Sequence, residues 1–156
     1  MHDYDNAQQF LESAIYCRLE QNRIIERIGV MRARCLKITP TLSAVPGGGN
    51  SDAQAQWAAL ADEERRLTEM LQEEINRAKE IEAFINKMET PIHQELLRYR
   101  YLDFLTVPAV VRRLSDAGYS RSQRQVERLL SAALIEAENL FFKLKGDYTH
   151  DQKRNP

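Results

Sequence analysis

At 156 residues, with 43% hydrophobic and 29% charged side chains, the chain has the length of one ordinary domain or two small ones and the composition of a protein rich in amphipathic helices. It contains no apolar run of about 18 residues, and its first residues, Met1-His-Asp-Tyr-Asp, are acidic and polar; we therefore expect no membrane segment and a cytoplasmic location. The formal net charge of −1 hides an asymmetry: residues 1 to 90 carry 11 basic and 15 acidic side chains, residues 91 to 156 carry 11 and 8.

From Asp5 to Cys35 there is no proline, and Phe10, Ala14, Cys17, Gln21, Ile24, Ile28, Met31 and Cys35 recur at alternating steps of four and three. This heptad seam predicts a long helix. The stretch from Thr39 to Ser51 holds Pro40, Pro46 and Gly47-Gly48-Gly49, residues that do not continue a helix, so a loop is expected at about 37–52. No Gly-Lys-Ser/Thr follows the glycines, which argues against a phosphate loop. Ser51 or Asp52 can cap a second helix with a seam of Trp57, Leu60, Glu64, Leu67, Leu71, Glu74, Ala78, Ile81, Ile85 and Met88. The two helices are expected to pair as an antiparallel hairpin. Glu64 and Glu74 fall on the seam, where they would be solvated at its edge, pair with arginines such as Arg23 or Arg27, or set register. Leu11, Ile15, Leu19, Ile25, Val30, Met70, Ile75 and Phe84 lie off the seam. That surplus calls for another surface, either the C-terminal domain or a second copy of the hairpin, and homodimerisation is the preferred reading.

Thr90-Pro91 opens a third helix running to Leu102, with Ile92, Leu96, Leu97 and Tyr101 inward and His93, Arg98 and Arg100 more exposed. Asp103-Phe-Leu forms a turn, Thr106 caps the next helix, and Pro108 sits in its first turn. On that helix Val107, Val110, Val111 and Leu114 share a face. Gly118 can end it with a positive φ, and Ser120 or Ser122 can cap the last helix. There Val126, Leu129, Leu130, Ala133 and Leu134 face the core, while Arg121, Arg124 and Arg128 fall opposite Val126. Beyond Gly146 the tail 146–156 has nothing to anchor it and is expected to be disordered.

A helix, a glycine turn and a second helix with an arginine stripe is the pattern of a helix-turn-helix that enters a DNA major groove. Arginine can engage guanine O6 and N7 bidentately or clamp a phosphate, and Gln123 and Gln125 can read adenine. Ser120 or Ser122 can turn helix amides toward a phosphate, and Arg112 and Arg113 can add phosphate contacts. Between Arg98 and Arg128 there are seven arginines, three acids and no lysine, a modest cationic footprint. The expected DNA-binding set is thus Arg112, Arg113, Ser120, Arg121, Ser122, Gln123, Arg124, Gln125 and Arg128. Cys17 and Cys35, on one helix, are separated by roughly 27 Å and cannot bridge within the chain. The scattered His2, His93 and His150 offer no zinc ligand set, so neither a metal nor another cofactor is expected. The acids have no recognisable catalytic spacing, so no enzymatic activity is expected.

The hairpin with Ile38-Thr-Pro, then Leu96-Leu-Arg-Tyr-Arg-Tyr-Leu, Thr106 with Val110-Val111, Gly118-Tyr-Ser-Arg, Val126-Glu-Arg-Leu and Ala133-Leu134 resembles the small phage and prophage transcriptional regulators of the ArpU/RinA type. Their C-terminal part is similar to region 4 of sigma factors. The resemblance implies control of late genes by promoter binding in a bacterial host, with Arg121 to Arg128 in the groove.

The expected fold is all-α, a long antiparallel helical hairpin (1–89) followed by a C-terminal helix-turn-helix domain (90–145). The expected partner is double-stranded DNA, bound by a homo-oligomer, with a dimer preferred. Two other readings are a DNA-packaging adaptor of the small-terminase kind and a coiled-coil module whose sigma-like unit binds RNA polymerase or another protein.

Overall fold

The computed structural model describes the backbone of residues 4–43 and 50–151 and the side chains of 4–36 and 54–146. Among the described residues every regular element is helical: α1 (Ala7–Ser43), α2 (Asn50–Asn86), α3 (Pro91–Leu97) with a π-helical turn (Arg98–Leu102), α4 (Val107–Asp116) and α5 (Gln123–Asp151). No described helix is long and apolar enough to cross a membrane.

The chain divides into two compact units, one built from Met1–Tyr16 and Arg77–Pro156, the other from Cys17–Asn76. The boundary therefore falls inside both long helices rather than at the expected junction of 89 and 90. The ends of the hairpin bury their apolar faces with the C-terminal helices, and local contact defines the unit more strongly than chain order.

The second unit is the middle of the hairpin. Ile24, Ile28, Met31 and Leu67 are buried together, flanked by Leu60, Met70 and Leu71, as the heptad seam predicts. Its cross-links run in antiparallel order: Gln21 Nε2 donates to the Glu74 carbonyl at 3.1 Å, Arg27 pairs with Glu63 at 3.1 Å and Arg32 with Glu64 at 2.7 Å. Glu64 thus pairs with Arg32, further along α1 than Arg23 or Arg27. Arg66, bonded to Glu63, lowers the pKa of that carboxyl.

The first unit has two apolar cores, and α5 lines both. Leu96, Val110, Leu114, Val126 and Leu130 close the angle between α3, α4 and the start of α5. Further along α5, Ala133, Ala137 and Phe141 are buried against Ala7, Phe10, Leu11, Ala14, Ile81, Phe84, Ile85 and Met88. Phe10, Phe84 and Phe141 form an aromatic knot, with Phe10 and Phe84 edge to face at 5.4 Å between centroids, a geometry in which the positive ring edge meets the negative face.

Two expected chain breaks are differently placed. The backbone of α1 stays helical past Pro40 to Ser43, which proline's fixed φ allows at the cost of one backbone bond; Gly47-Gly48-Gly49 lies outside the described residues. The backbone of α5 stays helical through Gly146 to Asp151; just before that stretch Lys145 donates to the Tyr4 carbonyl and its ammonium lies 5.1 Å from the centre of the Phe141 ring, a cation–π contact. Residues 152–156 lie outside the described residues.

Candidate nucleic-acid interface

The turn between α4 and α5 is built by backbone bonds that a positive-φ residue makes possible. Gly118, at φ 84°, donates to the Ser115 carbonyl at 3.0 Å, and Tyr119 donates to the Leu114 carbonyl at 2.8 Å. This pair is the Schellman arrangement, which satisfies carbonyls at a helix end. Four residues later Ser122 and Gln125 close a capping box: Gln125 N–H donates to Ser122 Oγ at 3.3 Å, and Ser122 N–H donates to Gln125 Oε1 at 2.9 Å. Of the two serines named as caps, Ser122 takes the part and Ser120 stays exposed ahead of the helix.

The cap changes the geometry of two expected contact residues. Gln125 has its amide oxygen committed to Ser122, leaving only its amide nitrogen to face outward. Arg121 precedes the cap, so it is not held on the helical stripe with Arg124 and Arg128. Gln123 bonds Glu127 through Nε2 at 2.9 Å, which holds an acid beside the arginines.

The arginines between Arg98 and Arg128 fall into two groups. Arg98 bonds Glu95 and Asn86, tying the end of α3 to the end of α2, and Arg100 donates to the Leu105 carbonyl at 3.1 Å, bracing the turn between α3 and α4. Arg112, Arg113, Arg121, Arg124 and Arg128 are exposed and make no ion pair or side-chain hydrogen bond among the described residues. Each keeps its full set of donors for an external acceptor. Opposite them, Val110, Leu114, Val126 and Leu130 are buried. The face is thus cationic outside and fixed by packing inside.

Two bracing features escape the sequence. Beyond Leu97 the helix widens into the π turn, with Asp103 N–H bonded to the Arg98 carbonyl at 2.9 Å, and Phe104 adopts φ 56°. No residue pattern announces a π turn, and phenylalanine is an unusual choice for a left-handed conformation. The second is His93, which is not the exposed histidine its isolation suggests. Its Nδ1 lies 2.6 Å from Glu136 Oε2, and the acceptor-only carboxylate fixes the proton on that nitrogen. The other oxygen of Glu136 accepts from Glu89 N–H at 2.8 Å and Thr90 N–H at 3.1 Å. Thr90 holds the cap position of α3 but makes no side-chain cap bond; the acid from α5 instead ties down the backbone just ahead of the helix, at Glu89 and Thr90. Burial would raise the Glu136 carboxyl, but the bonds from His93, Thr90 and Glu89 outweigh it and hold it down at about 2.

A family described as Protein of unknown function (DUF1492) matches residues 39–131. No curated protein and no solved structure matches the chain.

Proposed function

We propose that this chain, which belongs to the DUF1492 family, is a sequence-specific, non-enzymatic DNA-binding transcriptional regulator of phage or prophage genes, of the ArpU/RinA type. The observation that carries the reading is the set Arg112, Arg113, Arg121, Arg124 and Arg128, exposed and unpaired on the outer side of a capped helix-turn-helix. Arg124 and Arg128 on α5 enter the major groove and read base edges. Arg112 and Arg113 on α4 contact phosphates, with Arg121 and Ser120 ahead of α5 doing the same. Gln123 is the side chain best placed to join the base readers, because its bond to Glu127 is exposed and exchangeable. Gln125 and Ser122 act through the cap.

The reading is tested by selecting bound sequences from random duplex DNA and measuring the salt dependence of binding to the winner. Enrichment of one motif, lost in the Arg121→Ala/Arg124→Ala/Arg128→Ala variant, is the expected result. Equal binding by wild type and that variant overturns the groove assignment. Absence of any enriched sequence with a ring-sized particle in light scattering would favour the packaging adaptor.

A further inference from the structure

Between Val107 and Leu130, the stretch that carries the five unpaired arginines, one large apolar side chain is left in the open. Val110, Leu114, Val126 and Leu130 are buried, and Val107, Val111 and Leu129 pack against them. Tyr119 does not, and is 61% exposed. The turn accounts for this. Tyr119 is the second residue beyond the cap of α4, the one whose N–H bonds back to the Leu114 carbonyl, and an apolar side chain at that place commonly folds back onto the residue it engages. Here Leu114 is already enclosed, 3% exposed, in the core it shares with Leu96, Val110, Val126 and Leu130, and the ring stays outside. Its phenol hydroxyl has no hydrogen-bond partner among the described residues.

The backbone that carries the ring is nevertheless pinned on both sides. Behind it, Gly118 and Tyr119 bond the Ser115 and Leu114 carbonyls; ahead of it stands the box of Ser122 and Gln125. Holding the ring against a ligand therefore costs the order of only two side-chain torsions. Along the chain Arg112 and Arg113 precede it and Arg121, Arg124 and Arg128 follow, all exposed, and the one acid between Arg113 and Glu127 is Asp116. A phenol in cationic surroundings suits one ligand well: its apolar face fits the C–H face of a deoxyribose, and its hydroxyl donates to a phosphate oxygen.

We infer that Tyr119 contacts the sugar–phosphate backbone of DNA, ring against a deoxyribose and hydroxyl to a phosphate, between the phosphate arginines of α4 and the base-reading arginines of α5. The inference rests on the DNA reading and adds to its charged contacts an uncharged one. Because Tyr119 lies ahead of α5, outside the stretch that enters the groove, the backbone is its partner rather than a base edge. The missing charge gives it a signature of its own. Counterion release scales with the number of cationic contacts, so loss of Tyr119 lowers affinity without changing the salt slope, whereas loss of Arg112 or Arg113 changes both.

The test titrates the full chain, Tyr119→Phe and Tyr119→Ala against the selected duplex, its single-base variants and an unrelated duplex, each over a salt series, with urea unfolding of every variant. Tyr119→Phe is expected to bind roughly tenfold more weakly, the size of one hydrogen bond to a charged acceptor, and Tyr119→Ala more weakly still. Both losses should be alike for all duplexes, with the wild-type salt slope and the wild-type urea midpoint. Wild-type affinity in Tyr119→Ala overturns the contact, and a loss confined to one base position overturns the backbone assignment in favour of a base contact. A lowered urea midpoint that accounts for the loss makes the ring structural and also overturns it. A wild type that selects a sequence, loses it in the triple arginine variant and is indifferent to Tyr119→Ala removes this contact alone; a wild type that selects no sequence and binds duplex no better than the triple variant removes the DNA reading and the contact together.

Discussion

At the scale of single residues, what distinguishes the arginines is what they are bonded to. Arg98 and Arg100 are used within the fold, whereas Arg124 has no partner among the described residues. Arg124→Ala is expected to cost about 1–3 kcal/mol of specific binding and to relax preference at one base position, measured by titration against a panel of single-base variants. Arg112→Ala or Arg113→Ala should instead weaken all sequences alike and reduce the salt slope by about 1. Glu136 makes a different prediction, for stability. Its folded carboxyl sits at about 2 against an ordinary 4.5, so its contribution is complete above about pH 4.5 and is lost as pH falls toward 2. Urea unfolding at stepped pH should show wild type losing more stability than Glu136→Gln across that window, and an identical slope would exclude the latch as its source. At neutral pH Glu136→Ala is expected to cost about 1–3 kcal/mol, since two backbone N–H groups and His93 lose their acceptor.

At the scale of elements, the seams, the turn and the cap were legible because each rests on a local rule. Alternating four and three spacing named most buried residues of α1 and α2 but missed Ala7, Leu11, Ser13 and Phe84, and a glycine after Leu114-Ser-Asp-Ala gave the end of α4. The π turn and the left-handed Phe104 were not legible because no local residue pattern announces them, and the bonds of Glu136 were not because their partners lie more than forty positions away. Among candidate contacts, type and region could be read, but the division of labour between Ser122, Gln125 and the free arginines required the cap to be seen. Gly118→Ala tests the turn: with φ at 84° and open space around the added methyl, the cost is backbone strain of about 1 kcal/mol, read by chemical unfolding. Ser122→Ala should cost about 0.5–2 kcal/mol through the lost cap.

At the scale of the whole molecule, the C-terminal helices are not a detachable module. Ala133, Ala137 and Phe141 of α5 are buried by the opening of α1 and the end of α2, so a fragment of residues 90–146 would expose them. We expect such a fragment to show helical circular dichroism but poorly dispersed amide resonances and exposed apolar surface, in contrast to the full chain; sharp, dispersed resonances would refute this. The bond from Ala7 N–H to Glu138, 2.8 Å long and 131 positions apart in sequence, has a consequence for synthesis. A chain growing from its N-terminus can close the middle of the hairpin as soon as α2 emerges, yet Phe10 must wait for Phe141 before its core exists. A ribosome that stops before Phe141 leaves the middle of the hairpin and the small core of Leu96, Val110, Leu114, Val126 and Leu130 without the aromatic knot that Phe10 and Phe84 share with Phe141.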